Sequence, residues 1–210
     1  MALLPSTQHV FRAWTSDIDP RIALLVPSGQ RPSKAPYPGG WNDPDMLVLG
    51  RVGGAWSQPM HATRLTEDEQ RSHFGLWVLL TAPLLLGGDL VALERGFAAI
   101  VGNPEVPAVH QDRLGRQATR VSVDGYVETW RKDLSEGAVA VGVFNRGDTP
   151  VTTGIEWAEL GLATPVVARD LWGRRELDAT MGWQAVLPRH GCAMLLLAPR
   201  TPARAGHVAR

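Results

Sequence analysis

Two carboxylates, an amide and an indole lie within eleven residues in the segment 38–48, which reads P-G-G-W-N-D-P-D-M-L-V. Pro44 has a fixed φ angle and disfavours the helical region for Asp43, so the segment can present a carboxylate stiffly toward a pocket. A carboxylate held in this way can bind hydroxyl groups or exchange a proton. The alternative is an Asx turn in which Asn42 and Asp43 bond to the local backbone, and the spacing alone favours neither interpretation.

A second group of reactive residue types lies in the segment 12–20, which reads R-A-W-T-S-D-I-D-P. An arginine, an aromatic ring and two carboxylates can together hold a polyhydroxylated ligand. The residues alone favour a simpler interpretation, in which Asp17 or Asp19 caps a helix ahead of the apolar run 22–26.

Other reactive signatures are absent from the sequence. It contains no G-x-S-x-G, no P-loop, no H-E-x-x-H and no G-x-G-x-x-G. The six histidines are scattered, and none pairs with another at metal-ligand spacing, so each is interpreted as a satisfied or exposed side chain. The single cysteine, Cys192, excludes an intrachain disulfide and a cysteine-rich zinc site, and its apolar surroundings predict a small core residue.

Composition narrows the classes of partner. The chain has 21 Lys+Arg against 21 Asp+Glu, whereas a nucleic-acid-binding protein normally has a basic surplus. The most apolar stretch, 76–86, is too short to span a membrane. We therefore expect no nucleic-acid partner and no membrane span. The length of 210 residues exceeds one ordinary domain but is below the ~250 residues of a complete (β/α)₈ barrel.

The first half of the chain must position both carboxylate segments. Thr66 and Glu69 form a predicted capping box, and apolar residues then recur at helical spacing until Pro83 ends the pattern. The run 84–86 followed by Gly-Gly-Asp predicts a short buried strand and a turn, and 91–100 predicts a second helix. This order of continuous apolar strands and helices favours a parallel sheet covered on both faces.

From residue 119 onward the apolar residues alternate with period two. Seven strands are predicted, at 121–123, 126–130, 138–144, 151–155, 166–171, 184–187 and 193–197. Turn residues such as Asp124-Gly125 and Glu136-Gly137 lie between them. This spacing predicts an antiparallel β-sandwich, with a domain boundary at about 112–118.

Several segments of the chain resemble one family of enzymes. The segment 39–48 (G-G-W-N-D-P-D-M-L-V) resembles the G-x-W-N-D-P-D-M-L motif of glycoside hydrolase family 27, the α-galactosidases or melibiases. Segments 65–90, 103–115, 129–146 and 168–172 resemble that family in the same order. The resemblance implies a multidomain chain: 1–115 is the C-terminal part of a (β/α)₈ TIM barrel, with about strands 6–8, 116–200 is an antiparallel β-sandwich, and 201–210 is a tail.

The resemblance also implies roles for individual residues. Asp17 matches the general acid/base of the family, and Arg12 matches a sugar-contacting arginine, although the Arg–Asp spacing is one residue longer than in the family motif. Asp45 matches the carboxylate that receives galactose hydroxyls. Met46 and Trp41 match residues that line or support the sugar pocket. No metal or organic cofactor is implied.

One family residue has no counterpart. The nucleophile is the aspartate of a K-x-D motif on barrel strand 4, and no K-x-D occurs in the 210 residues; Lys132-Asp133 lies in the predicted sandwich. We therefore expect the chain alone to be inactive, although its family hydrolyses terminal α-galactosides with retention. Implied partners are an α-galactoside or related sugar and the N-terminal half of the barrel.

Two matters stay open at the level of sequence. A non-catalytic carbohydrate-binding or accessory module, built around the β-sandwich, is the alternative function. Within the enzyme class, α-N-acetylgalactosaminidase and β-L-arabinopyranosidase activities are compatible with the same resemblance, because the loop that discriminates between these sugars lies on barrel strand 5.

Overall fold

The structure is a computed structural model that describes residues 46–54, 59–88, 95–162, 166–179 and 181–199. In chain order its elements are β1 (Arg51–Val52), β2 (His61–Ala62), α1 (Glu67–Leu79), α2 (Arg95–Val101), α3 (Glu105–His110), β3 (Thr119–Asp124), β4 (Val127–Asp133), β5 (Val139–Asn145), β6 (Val151–Glu156), β7 (Val166–Asp170), β8 (Arg175–Leu177), β9 (Gly182–Leu187) and β10 (Cys192–Pro199).

The second half folds as two antiparallel sheets. One sheet has six strands in the order β3-β4-β5-β10-β7-β8, and the other pairs β6 with β9. All seven predicted strands are confirmed within one to three residues at their ends. The sequence did not indicate β8, a three-residue strand without an alternating apolar pattern.

Two hydrophobic cores lie on opposite faces of the six-stranded sheet. All seven residues of β5 are buried, since α1 covers one face of this strand and the two-stranded sheet covers the other. The core on the helical face includes Leu79, Phe144 and Met194. The core between the sheets includes Val141, Trp157 and Leu195. A strand buried on both faces reads as a continuous apolar run, as V-A-V-G-V-F does here.

Helix α1 begins as its sequence predicts. Thr66 is the N-cap: its hydroxyl accepts a hydrogen bond from the Glu69 backbone N–H at 3.3 Å, and the Glu69 carboxylate accepts from the Thr66 N–H at 2.8 Å. The helix ends at Leu79, before Pro83, and Thr81 has a φ of 54°. The second predicted helix is present as α2, and α3 is an additional short helix.

Asn103 joins the helices to the six-stranded sheet. Its side-chain carbonyl accepts hydrogen bonds from the backbone N–H groups of Glu105 and Val106, at the start of α3, at 2.8 and 3.3 Å. Its amide donates to the Leu171 carbonyl at 2.9 Å, just after β7. Glu105 adds a bidentate ion pair with Arg169 of β7 at 2.7 and 2.6 Å. The two halves are therefore bonded directly to each other.

The predicted buried strand at 84–86 is only partly confirmed. Leu86 forms a single parallel bridge with Leu47, so this part of the chain has no extended strand among the described residues. Leu85 is exposed, so the segment is not fully buried either. A strand of a parallel sheet is buried by elements that cover both of its faces, and among the described residues the segment 84–86 pairs only with the segment at Leu47. In the part of the chain that the structure describes, no helix is both long and apolar enough to cross a membrane.

Candidate functional site

Of the residues predicted to form the site, only Met46 lies within the described residues. Arg12, Asp17, Trp41 and Asp45 lie outside them. The structure therefore shows how the chain is held directly after the carboxylate motif, and it leaves the proposed roles of those four residues as predictions.

Met46 is half-buried and immediately precedes the parallel bridge between Leu47 and Leu86. The Leu47 N–H donates to the Leu85 carbonyl at 2.7 Å, and the Gly87 N–H donates to the Leu47 carbonyl at 2.9 Å. This pairing joins the backbone that follows Asp45 to the backbone of residues 85–87.

Gly87 and Gly88 allow these two segments to approach closely. A Cβ atom on Gly87 would lie 3.3 Å from the Met46 Cβ and 3.4 Å from the Leu47 carbonyl oxygen. On Gly88 it would lie 2.1 Å from the Arg51 carbonyl oxygen, which is a severe overlap. The sequence indicated this glycine pair only as a turn, whereas its structural role is to make room for the segment that carries Met46.

Side chains from the helical side hold the residues that follow Met46. The Val48 N–H donates to Nε2 of His73 at 3.2 Å, and the Val48 carbonyl accepts from the Thr63 hydroxyl at 2.7 Å. The Gly50 N–H donates to the Gln70 carbonyl at 3.0 Å. Because Nε2 of His73 is an acceptor, the proton of this imidazole is on Nδ1.

His73 and Gln70 were not predicted as site residues. Their positions on α1, three residues apart, place them on one face of the helix, and this spacing was the available signal. His73 is buried against Trp77 with ring centroids 4.0 Å apart. The prediction that His73 is a satisfied side chain is confirmed at Nε2, which accepts the hydrogen bond from Val48.

A buried pair of polar side chains, Glu69 and His190, lies elsewhere, where α1 meets the loop before β10. Oε1 of Glu69 is 2.6 Å from Nδ1 of His190, and both side chains are almost fully buried. Burial raises the pKa of the Glu69 carboxyl, but hydrogen bonds from His190 and Thr66 together outweigh it, and the net pKa is lowered. Asp148 lies 3.2 Å from the other ring nitrogen of His190.

Lys132 lies in β4 and is buried, as the sequence placed it in the sandwich. Its ammonium donates to the Thr81 hydroxyl and to the Arg116 carbonyl. Burial lowers the pKa of Lys132 to about 8, and the nearby Asp112 carboxylate partly opposes that shift. These contacts give Lys132 a role at the junction between the two halves rather than in a nucleophile motif.

Among the described residues, the remaining reactive side-chain types form no further site. Cys192 is half-buried at the start of β10, and burial raises the pKa of its thiol to about 11, so it is protonated near neutral pH. Within the described ranges, no three His, Cys, Asp or Glu side chains are grouped so that they could hold a metal ion.

Comparison with known proteins agrees with this arrangement in both halves. The family model described as alpha galactosidase A matches residues 7–112, and the model described as the alpha galactosidase C-terminal beta sandwich domain matches residues 124–197. The chain belongs to glycoside hydrolase family 27, the α-galactosidases or melibiases. The first match includes Arg12, Asp17, Trp41, Asp45 and Met46.

Individual members of family 27 cover most of the chain. The α-galactosidase of Cyamopsis tetragonoloba is 40% identical over 167 residues, which are 78% of this chain and 38% of that protein. The crystal structure of a family 27 β-L-arabinopyranosidase from Geobacillus stearothermophilus superposes with a TM-score of 0.72 at 30% identity, covering 79% of this chain and 38% of the other.

A third relative is α-galactosidase I of Mortierella vinacea, with a TM-score of 0.66 at 27% identity over 79% of this chain and 41% of that one. These solved structures support the two-part organisation of a family 27 fold with a C-terminal β-sandwich. The chain spans less than half the length of the family 27 relatives that it matches.

Proposed function

We propose that the chain supplies the C-terminal part of a retaining α-galactosidase, with residues 1–115 in the catalytic barrel, 116–200 as the sandwich and 201–210 as a tail. The observation that carries the proposal is the match of both halves to family 27 models, in the right order and across the carboxylate motifs. The substrate class proposed is a terminal α-galactoside or a related sugar.

Asp17 is proposed as the general acid/base of this reaction. A retaining glycosidase needs one carboxyl group that protonates the leaving oxygen and a second that attacks the sugar, about 5–5.5 Å apart. Asp17 is followed by a second carboxylate, Asp19, which offers a matched control. Arg12 is proposed to contact the sugar from the same segment.

Asp45 is proposed to bind sugar hydroxyls, with Trp41 and Met46 lining the pocket. The hydrogen bonds of Leu47, Val48 and Gly50 support this role, because they hold the backbone directly after Asp45 to α1 and to residues 85–87. Orientation of a carboxylate within a fraction of an ångström is what sugar recognition and catalysis require.

The nucleophile is proposed to come from outside these 210 residues, since they contain no K-x-D sequence. The N-terminal part of a barrel is then the partner that completes the site. The 210 residues by themselves are expected to bind sugar weakly and to leave glycosidic bonds intact.

The test joins this chain behind the N-terminal part of the Cyamopsis tetragonoloba enzyme, ending where the two sequences begin to align. In this chimera, Asp17→Asn lowers kcat/KM for melibiose by about 10²–10⁴, and by less for a nitrophenyl galactoside, whose leaving group needs little protonation. Asp45→Asn raises KM for both substrates.

Asp19→Asn in the same chimera is the matched control and keeps the activity of the parent. Equal losses for Asp17→Asn and Asp19→Asn, or a loss for Asp17→Asn that is the same with both leaving groups, would contradict the proposed acid/base role. The sugar preference is read from the same chimera by comparing galactoside, N-acetylgalactosaminide and arabinopyranoside substrates.

A further inference from the structure

A cavity of about 380 Å³ lies between the first turns of α1 and the sandwich. It is bounded by α1, the turn that joins β7 to β8, strand β9 and the start of β10. None of the residues that hold Met46 lines it. Among the described residues, the cavity is therefore separate from those that hold Met46.

The buried part of the cavity wall is apolar. Leu187 and Leu195 are almost fully buried, and Leu177, Ala185 and the half-buried indole of Trp183 extend this surface. A flat indole beside aliphatic side chains suits a ligand with one apolar face.

The exposed part of the wall carries charges that are already paired. Asp68 lies 3.4 Å from Arg71, and Asp170 lies 3.6 Å from Arg175. Two carboxylates and two guanidinium groups give this rim no net charge, so it does not attract an ion of either sign. It does offer both hydrogen-bond donors and acceptors, which is what a neutral ligand with hydroxyl groups needs.

We propose that this cavity binds one neutral sugar ring of the galactose type, as a second carbohydrate site. The C–H face of the ring packs on Trp183, and its hydroxyls bond to Arg175 and Asp170 at the rim. The volume is at the lower end for ligand sites, which suits one ring rather than a long oligosaccharide. Only the choice of galactose as the sugar rests on the proposed function.

This site would belong to the junction of both halves, because Asp68 and Arg71 come from α1 and the other rim residues come from the sandwich. It would hold a sugar without cleaving it, because none of the described residues that line it is assigned a catalytic role. Its expected effect is to retain a galactose-bearing substrate near the protein.

The test uses the 210-residue chain and galactose, with saturation-transfer NMR as the readout and glucose as a competing ring. The wild-type chain shows saturable transfer to galactose. Arg175→Ala removes one charge-assisted hydrogen bond and weakens binding by about tenfold or more. Trp183→Ala, checked for fold by circular dichroism, weakens it further.

Two controls separate this site from the catalytic one. Arg113→Ala removes an arginine with the same 73% side-chain exposure and leaves binding unchanged. Asp45→Asn alters the predicted sugar pocket in the barrel half. This variant still binds galactose in the cavity, which Arg175→Ala does not do to the same extent. The proposal is overturned if the wild-type chain shows no saturable transfer, or if Arg175→Ala binds as the wild type does. The proposal is also overturned if Asp45→Asn loses galactose binding and Arg175→Ala keeps it. That result would support the proposed function.

Discussion

At the scale of single residues, buried polar groups mark the junction between the two halves. Glu69 serves two purposes, because one carboxylate caps α1 through Thr66 and also accepts the bond from His190 in the sandwich. The sequence predicted the first role from the T-E-D-E pattern. The second role joins residues 121 positions apart, which no local pattern reports.

Glu69→Gln is expected to lower the free energy of unfolding by about 1–3 kcal/mol at neutral pH, because it weakens a buried charge-assisted bond. The folded-state pKa of Glu69 is lowered, so its contribution is present above the usual value of 4.5 and is lost as the pH falls through the lowered pKa. Urea denaturation at several pH values therefore shows a difference from wild type that shrinks in acid.

Glu67→Gln is the matched control for this change. Glu67 lies in the same first turn of α1, is half exposed and pairs with Arg71 at the surface. Such pairs contribute little, so its unfolding curve follows the wild type at every pH. If Glu67→Gln and Glu69→Gln were equally destabilised, the assigned role of Glu69 would be wrong.

The burial of Lys132 gives a pH dependence of the same sign at higher pH, with stability that increases as the pH rises. Burial lowers its folded-state pKa to about 8, from 10.5 when exposed. The unfolded chain binds this proton more tightly, so the cost of burying the ammonium is full below pH 8 and disappears as the pH rises toward 10.5. The free energy of unfolding of the wild type relative to Lys132→Met should rise across that interval.

Lys132→Met leaves the Thr81 hydroxyl and the Arg116 carbonyl without the lysine donor, so its absolute stability can move in either direction. The slope of the difference with pH is the informative quantity. A difference that stays constant between pH 8 and 10.5 would show that the lysine is not desolvated as its burial indicates.

At the scale of elements, the packing of α1 on β5 depends on one glycine. A Cβ atom on Gly142 would lie 2.4 Å from Leu79 of α1 and 2.6 Å from the ring of Phe144. Gly142 has no positive φ, so glycine is required there because the side chains of Leu79 and Phe144 approach closely.

Gly142→Ala is therefore expected to destabilise the chain by about 1–3 kcal/mol, because a core that is already filled must expand. Gly96→Ala is the control. Gly96 lies in α2, and outside that helix's own backbone its new Cβ atom would come no closer than 3.7 Å, to Oε2 of Glu67. The change is therefore neutral or stabilising by up to about 1 kcal/mol. Thermal denaturation of both variants checks this, and equal melting temperatures would contradict it.

The elements differ in how far their sequences specify them. The seven sandwich strands and α1 were predictable, because alternation, hairpin turns and a capping box are local signals. Strand β8 was not, since it is three residues long and is held by pairing with β7. The segment at Leu84–Leu86 has the composition of a buried strand. Whether it forms one depends on pairing with segments distant in sequence, such as the one at Leu47.

At the scale of the whole molecule, the two halves share one core. Buried residues of α1, α2 and α3 pack with Trp130, Ala140 and Phe144 of the sheet in a single cluster. The family could be predicted from the motif around Trp41–Met46. The anchoring of that motif by His73 and Gln70 could not, since their spacing places them on one helix face but does not identify the distant loop that they bond.

Release of nitrophenol from a nitrophenyl α-galactoside is the most direct test of the account. The 210-residue chain alone is predicted to give no turnover above buffer, because it holds the proposed acid/base and sugar-binding residues without the nucleophile. The chimera with an N-terminal family 27 part is predicted to turn over and to lose kcat in Asp17→Asn. Turnover by the 210 residues alone would contradict the account.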